Sequence, residues 1–175
     1  MSSSKFDIVV YGATGFTGQL VAEYLATHYK GDATLKWAMA GRSKDKLAAV
    51  RDATGAPAET PLIVADASDP ASLKAMVAQT KSVISTVGPY QFYGNELLAA
   101  CVASGTDYFD LCGEPLWMRE MIDKHEGAAK ASGARTTRAR SSRASSPADG
   151  ARRCAQEAAA SGSSNFTAGE KHSSH

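Results

Sequence analysis

Asp7-Ile8-Val9-Val10-Tyr11-Gly12-Ala13-Thr14-Gly15-Phe16-Thr17-Gly18 is the stretch on which the reading of this chain turns. Ile8, Val9 and Val10 form a continuous apolar run, the mark of a parallel strand covered on both faces. From Phe16 onward Leu20, Val21, Tyr24 and Leu25 recur at helical spacing instead. The glycines stand where the period changes. Gly12 permits a tight turn, Gly15 lets the backbone approach a pyrophosphate, and Gly18 lets the helix pack closely on the strand. Uncapped amides at the helix start then face the phosphates, an interaction worth about 0.3–2 kcal/mol. The spacing GxxGxxG is one residue wider than the commoner GxGxxG, and a glycine turn without any ligand is the alternative reading.

A chain of 175 residues suits one domain with a sizeable core and is short for two. Its formal net charge of +1 gives no sign of a nucleic-acid partner, but the charge is unevenly spread. Residues 135–175 carry seven of the 19 cationic side chains and only three of the 18 acids, so the body is mildly acidic and the tail basic. Cys101, Cys112 and Cys154 lack metal-ligand spacing, and neither a metal site, a signal peptide nor a membrane span is expected. These features predict a reducing, cytoplasmic setting with plain thiols.

Leu35 to Ala40 reads as a second strand ending at Gly41-Arg42-Ser43. Dinucleotide folds choose their cofactor at this end: a carboxylate holds the ribose 2′-hydroxyl of NAD, whereas a cation with small donors suits the 2′-phosphate of NADP. No acid occurs here before Asp45, and a guanidinium bonds phosphate oxygens at about 1.5–3 kcal/mol each, so NADP is preferred to NAD. The alternative is that Arg42 is a solvated loop residue. Leu62 to Val64 reads as a third, buried strand closed by Asp66, which either accepts from an adenine amine or is an ordinary strand-end aspartate. Asp69-Pro70 has the form of a helix cap.

Val83 to Val87 reads as a fourth strand running into Gly88-Pro89-Tyr90-Gln91-Phe92-Tyr93-Gly94. In a doubly wound sheet this loop lies beside the ligand, where Gly88 and Pro89 shape the backbone and Tyr90 and Tyr93 either offer hydroxyls or pack. A helix over Asn95 to Ser104 buries Cys101, and Tyr108 to Leu111 reads as the fifth strand. Asp107, Asp110 and Glu114 cluster nearby; a general base among them is one reading, acids capping the following helix the safer one. That helix, about Pro115 to Ala131, is expected to bury Met118, Met121, Ile122 and Ala129.

A sixth strand is due after Arg135, yet residues 135–175 contain no Val, Ile, Leu, Met, Trp or Tyr. Such a segment buries too little surface to offset about 1–2 kcal/mol of backbone ordering per residue. The expected organisation is therefore a disordered start over 1–4, an α/β Rossmann-like domain over 5–135 with a doubly wound parallel sheet of about five strands, and a disordered tail over 136–175. The tail allows one weak helix, from Cys154 to Ala160.

In the order and spacing of Tyr11-Gly12-Ala13-Thr14-Gly15-Phe16-Thr17-Gly18, Ala40-Gly41-Arg42-Ser43, Ala65-Asp66-Ala67, Thr86-Val87-Gly88-Pro89-Tyr90 and Gly113-Glu114, residues 5 to about 135 resemble the NADP-binding domain of saccharopine dehydrogenase-like oxidoreductases. The enoyl reductase-like subgroup is nearest in pattern. The resemblance implies that Gly12, Thr14, Gly15, Phe16 and Thr17 line the phosphates, Arg42 and Ser43 the 2′-phosphate, and Gly88 and Pro89 the ribose next to the nicotinamide. It also implies a further apolar strand and a long substrate domain, which do not follow Arg135 here. Strings such as Ala144-Ser145-Ser146-Pro147-Ala148 are what GC-rich coding sequence yields one nucleotide out of register, so the chain is expected to be truncated or frameshifted after about residue 135. Sequencing the gene tests this; no alternative frame encoding the missing strand refutes it.

Two functions follow. One is hydride transfer between NADP(H) and an unsaturated or imine-type substrate, lipid-linked or amino-acid-derived; the other is a cofactor-binding module without catalysis, prone to self-association. No catalytic residue is assigned. A short-chain dehydrogenase is disfavoured, because none of the six tyrosines is followed four residues later by lysine.

Overall fold

The computed structural model describes residues 4–32, 34–138, 155–156 and 158–160. The chain runs β1 (Phe6–Tyr11), α1 (Phe16–His28), β2 (Trp37–Gly41), α2 (Lys44–Ala53), β3 (Leu62–Val64), α3 (Pro70–Val77), β4 (Thr80–Ser85), α4 (Tyr90–Tyr93), α5 (Asn95–Ser104), β5 (Asp107–Asp110), α6 (Pro115–Ser132) and β6 (Thr136–Arg138). Among the described residues six strands, all pairing in parallel, form one sheet in the order β3-β2-β1-β4-β5-β6.

β1 is central and buried throughout, and its alternation feeds two cores. Ile8 and Val10 meet Val21 and Leu25 of α1 and Leu47 and Val50 of α2. Val9 and Tyr11 face the opposite layer, with Leu73 and Met76 of α3, Leu97 and Cys101 of α5, and Met121 of α6. The expected cap on α3 forms: Pro70 opens the helix and the Asp69 carboxylate accepts from Ala71 and Ser72 amides. Gly105 closes α5 in the left-handed conformation.

Four expectations need correction. β4 begins at Thr80 rather than Val83, because its first residues are polar yet buried and satisfied: Thr80 Oγ1 donates to the Ser82 carbonyl (2.9 Å) and Ser82 Oγ to that of Asp7 (2.7 Å). β3 is an edge strand, and Val64 is 54% exposed rather than buried. On α6, Trp117 takes the inward position, donating from Nε1 to Asn95 Oδ1 (2.7 Å), while Ile122 is left 49% exposed.

The fourth correction concerns the tail. Thr136–Arg138 pairs with β5 as a sixth strand. An edge strand is held by backbone hydrogen bonds, and threonine fits a half-covered pleat, so the lack of apolar side chains does not forbid it. Arg135 anchors its start: the backbone N–H donates to Asp107 Oδ1 (2.9 Å) and the guanidinium straddles the same carboxylate. Residues 155–156 and 158–160 are helical, and Ala155, Ala158 and Ala159 join the core on the Ile8 face. The rest of the expected disordered segments, residues 1–3, 139–154, 157 and 161–175, lies outside the described residues, and with it Cys154.

Between α6 and the β5–β6 edge runs an apolar groove of about 340 Å³, walled by Leu98, Tyr108, Met118 and Ile122 and closed at one side by the small Thr136. A larger apolar side chain there would extend into the groove beside α6. Thr136→Ile is expected to stabilise the domain by about 1 kcal/mol, a rise of about 2–4 °C in Tm by differential scanning calorimetry. An unchanged or lowered Tm refutes this reading of the groove.

Candidate dinucleotide-binding site

The sheet order places the carboxyl ends of β1 and β4 side by side, with α1 leaving toward one face and α4–α5 toward the other. A crevice opens at such a reversal. After Tyr11 the backbone turns at Gly12 with φ of +88°, where a Cβ would stand 2.6 Å from Val87 Cγ2 and 2.7 Å from Thr86 Oγ1. The Gly12 and Ala13 amides donate to the Ala40 carbonyl at 2.9 and 3.2 Å, which ties the turn to β2. Thr86 braces its other side: both its backbone N–H and its hydroxyl donate to the Tyr11 carbonyl at 3.0 Å.

α1 then starts at an extended Gly15 with no side-chain cap and no acid in its first turn. The first-turn amides are thus left to whatever anion enters the crevice. The helix comes close because Gly18 has no side chain: a Cβ would overlap the Gly12 carbonyl oxygen and lie 2.7 Å from Ala13 Cα.

A cleft of about 300 Å³ is lined by Gly12, Thr14, Gly15, Arg42, Asp66 and Gly88 among the residues singled out from sequence. Phe16, Thr17, Ser43 and Pro89 do not line it. Phe16 is 73% exposed at the helix start with Thr17 beside it, and Pro89 is exposed after its cis bond to Gly88. Ser43 is the N-cap of α2, its hydroxyl accepting weakly from the Lys46 amide at 3.4 Å.

Arg42 is exposed at the end of β2 and makes no ion pair or hydrogen bond with a described residue. Asp66 accepts from the backbone and hydroxyl of Ser68 at 2.9 and 2.8 Å, and these bonds hold its carboxyl below the usual range. Tyr11, Thr86 and Tyr93 also line the cleft. Parallel register gives the signal for the first two: Tyr11 pairs with Ser85, so Thr86 must meet the glycine turn.

The acidic cluster near β5 does not reach the cleft. Asp107 holds Arg135, Asp110 accepts from the Cys112 amide, and Glu114 accepts from the Tyr90 and Gln91 amides at 2.7 and 2.9 Å. Glu114 therefore caps α4, which precedes it, rather than the helix that follows. Of the two loop tyrosines, Tyr90 packs, its hydroxyl donating to the Ser85 carbonyl and accepting from the Leu111 amide.

Residues 8–136 match the family described as the saccharopine dehydrogenase NADP-binding domain. The chain belongs to this family. Among relatives of this NADP-binding domain are trans-acting enoyl reductases of Mycobacterium leprae, 52% identical over 132 residues, and of Mycobacterium tuberculosis, 50% identical over 132 residues. Each match covers 75% of this chain and 31% of the relative, so the chain spans about a third of their length. The domain shares its fold with apo saccharopine dehydrogenase from Saccharomyces cerevisiae (TM-score 0.59, 21% identity, 75% of this chain and 26% of that one). It is also similar to Citrobacter triphenylmethane reductase in complex with NADP(H) (TM-score 0.55, 20% identity, 76% and 48%). No described helix is long and apolar enough to cross a membrane, and no group of three or more potential metal ligands occurs among the described residues.

The glycine geometry of this NADP-binding domain makes a paired test. Gly18→Ala is expected to destabilise it by about 2–3 kcal/mol, because the new methyl meets backbone on α1's inner side. Gly113→Ala, with nothing within 4 Å of the added Cβ, is expected to change stability by less than about 0.5 kcal/mol. Urea unfolding of both variants measures the difference, and equal midpoints would refute the close-approach argument.

Proposed function

We propose that this chain binds NADP(H) in the cleft between β1 and β4, with the pyrophosphate against the Gly12–Gly15 turn and the amides at the start of α1. Gly12, Thr14 and Gly15 supply the turn, and Phe16 and Thr17 contribute through backbone N–H groups rather than side chains. Arg42 and the Ser43 hydroxyl take the 2′-phosphate, Asp66 accepts from the adenine amine, and Gly88 and Pro89 border the ribose next to the nicotinamide. The observation that carries this reading is one cleft holding both an uncapped helix start and an arginine that pairs with nothing among the described residues. An acceptor-only dianion answers both. NADP(H) in triphenylmethane reductase, which shares the fold, accords with it.

The reaction proposed is the one the relatives are named for, enoyl reduction, and the substrate class proposed for it is a lipid-linked acyl group. NADPH supplies the hydride; this chain's residues hold and orient it and do not themselves react. A second reading, binding without turnover, is favoured by one feature: no histidine, lysine or carboxylate lines the Gly88 end of the cleft among the described residues. The buried Cys101 thiol suits a reducing cytoplasm, and the exposed Phe92 and Leu116 suit self-association.

Isothermal titration with NADPH and NADH tests the site. Wild-type protein is expected to prefer NADPH, and Arg42→Ala to weaken NADPH at least about 10-fold while changing NADH less than 2-fold. Equal affinities in the wild type would overturn the assignment. NADPH oxidation with enoyl thioesters separates the two readings, since binding without turnover supports the second.

A further inference from the structure

Tyr11 closes β1 immediately before Gly12, and only 2% of it is exposed. Its side chain belongs to the Val9 face, where the register partner on β2 is Ala40 and where Ala38 and Ala65 share the same core cluster. An alanine as register partner leaves room beside the ring. A phenylalanine would fill that room equally well, so the packing does not require the hydroxyl.

That hydroxyl forms no hydrogen bond with any described residue, although Tyr11 lines the cleft together with Arg42 and Asp66. The ring is buried, but the hydroxyl oxygen is not sealed off and opens on the cleft. Tyr90 shows what this fold does when it satisfies one internally, giving the hydroxyl both an acceptor and a donor. At Tyr11 no such arrangement exists, and the open side is the cleft. Burial, reinforced by Asp66 and opposed by Arg42, pushes the phenol up to about 12. It stays protonated in the physiological range and can donate.

We infer that the Tyr11 hydroxyl donates a hydrogen bond to the 2′-phosphate of NADP(H), acting beside Arg42 as a determinant of NADP over NAD. This rests on the cofactor reading above. The phosphate is the partner because it only accepts at neutral pH and because it is drawn to the arginine that lies within electrostatic reach of the phenol. The adenine amine, a donor, matches the Asp66 carboxylate instead.

Tyr11→Phe deletes the hydroxyl and keeps the ring. Isothermal titration of this variant is expected to show NADPH and adenosine 2′,5′-bisphosphate weakened about 10-fold, with NADH changed less than 2-fold. The unliganded variant should melt no lower than wild type, which separates loss of a ligand contact from loss of packing. Unchanged NADPH affinity, or equal losses for NADPH and NADH, would overturn the inference. If Arg42→Ala weakens NADPH and Tyr11→Phe does not, the cofactor site stands and Tyr11 is excluded from it. If wild-type protein binds no NADPH, the cofactor reading falls and this inference with it.

Discussion

The carbonyl of Gly12 lies against the backbone of Gly18, and the carboxyl edge of the sheet depends on that approach. A side chain at Gly18 would hold α1 away from β1, and the first-turn amides would then point beside the crevice rather than into it. The turn has no freedom to compensate. It is tied to β2 through the Ala40 carbonyl and to β4 through Thr86, so three adjacent strands fix its position. Preorganised backbone donors lose little freedom when an anion arrives, which is why fixed amides suit phosphate better than mobile side chains.

The opposite edge is held by different means. Asp7, near the amino end of β1, accepts from the Lys36 amide at 2.8 Å and pairs with Lys81. Asp107, at the amino end of β5, accepts from the Arg135 amide and pairs with its guanidinium. Each aspartate thereby ties the start of a strand to a neighbouring segment by a backbone bond and a cation together. Their Coulombic share is modest where the cation is partly solvated, and the backbone bond supplies the geometry. The acids that cluster near β5, read from sequence as caps of the following helix before a general base, are accordingly divided: Asp107 belongs to the structural edge, and Glu114 to the cap of α4.

The central strands, the longer helices and the glycine turn were legible because each has a local signal, whether an apolar run, a 3.6-residue period or a glycine at a change of period; the short α4, inside what reads as a loop, was not. β4's start and β6 were not, since both depend on polar residues whose hydrogen bonds are supplied by strands distant in sequence. Hydrophobicity reports burial of side chains, and an edge strand or a satisfied buried serine escapes it. The same limit explains α6. Its apolar residues allow two adjacent stripes, and Asn95, more than twenty positions earlier, turns Trp117 inward by accepting from its indole.

The cleft divides along the same line. Gly12, Thr14, Gly15 and Arg42 announce themselves by motif and by position at strand ends, whereas Thr86 and Tyr11 enter through the register between β1 and β4. Tyr11 is the more instructive, because an aromatic at the end of an apolar run reads as core, and its ring is core. Only the contrast with Tyr90 distinguishes a hydroxyl satisfied by the protein from one left facing the crevice. Selectivity built this way is shared between a solvated cation, which attracts the phosphate from a distance, and a buried neutral donor, which acts only once the phosphate has arrived. The first supplies long-range attraction that salt screens; the second adds a short, directional bond that depends on contact.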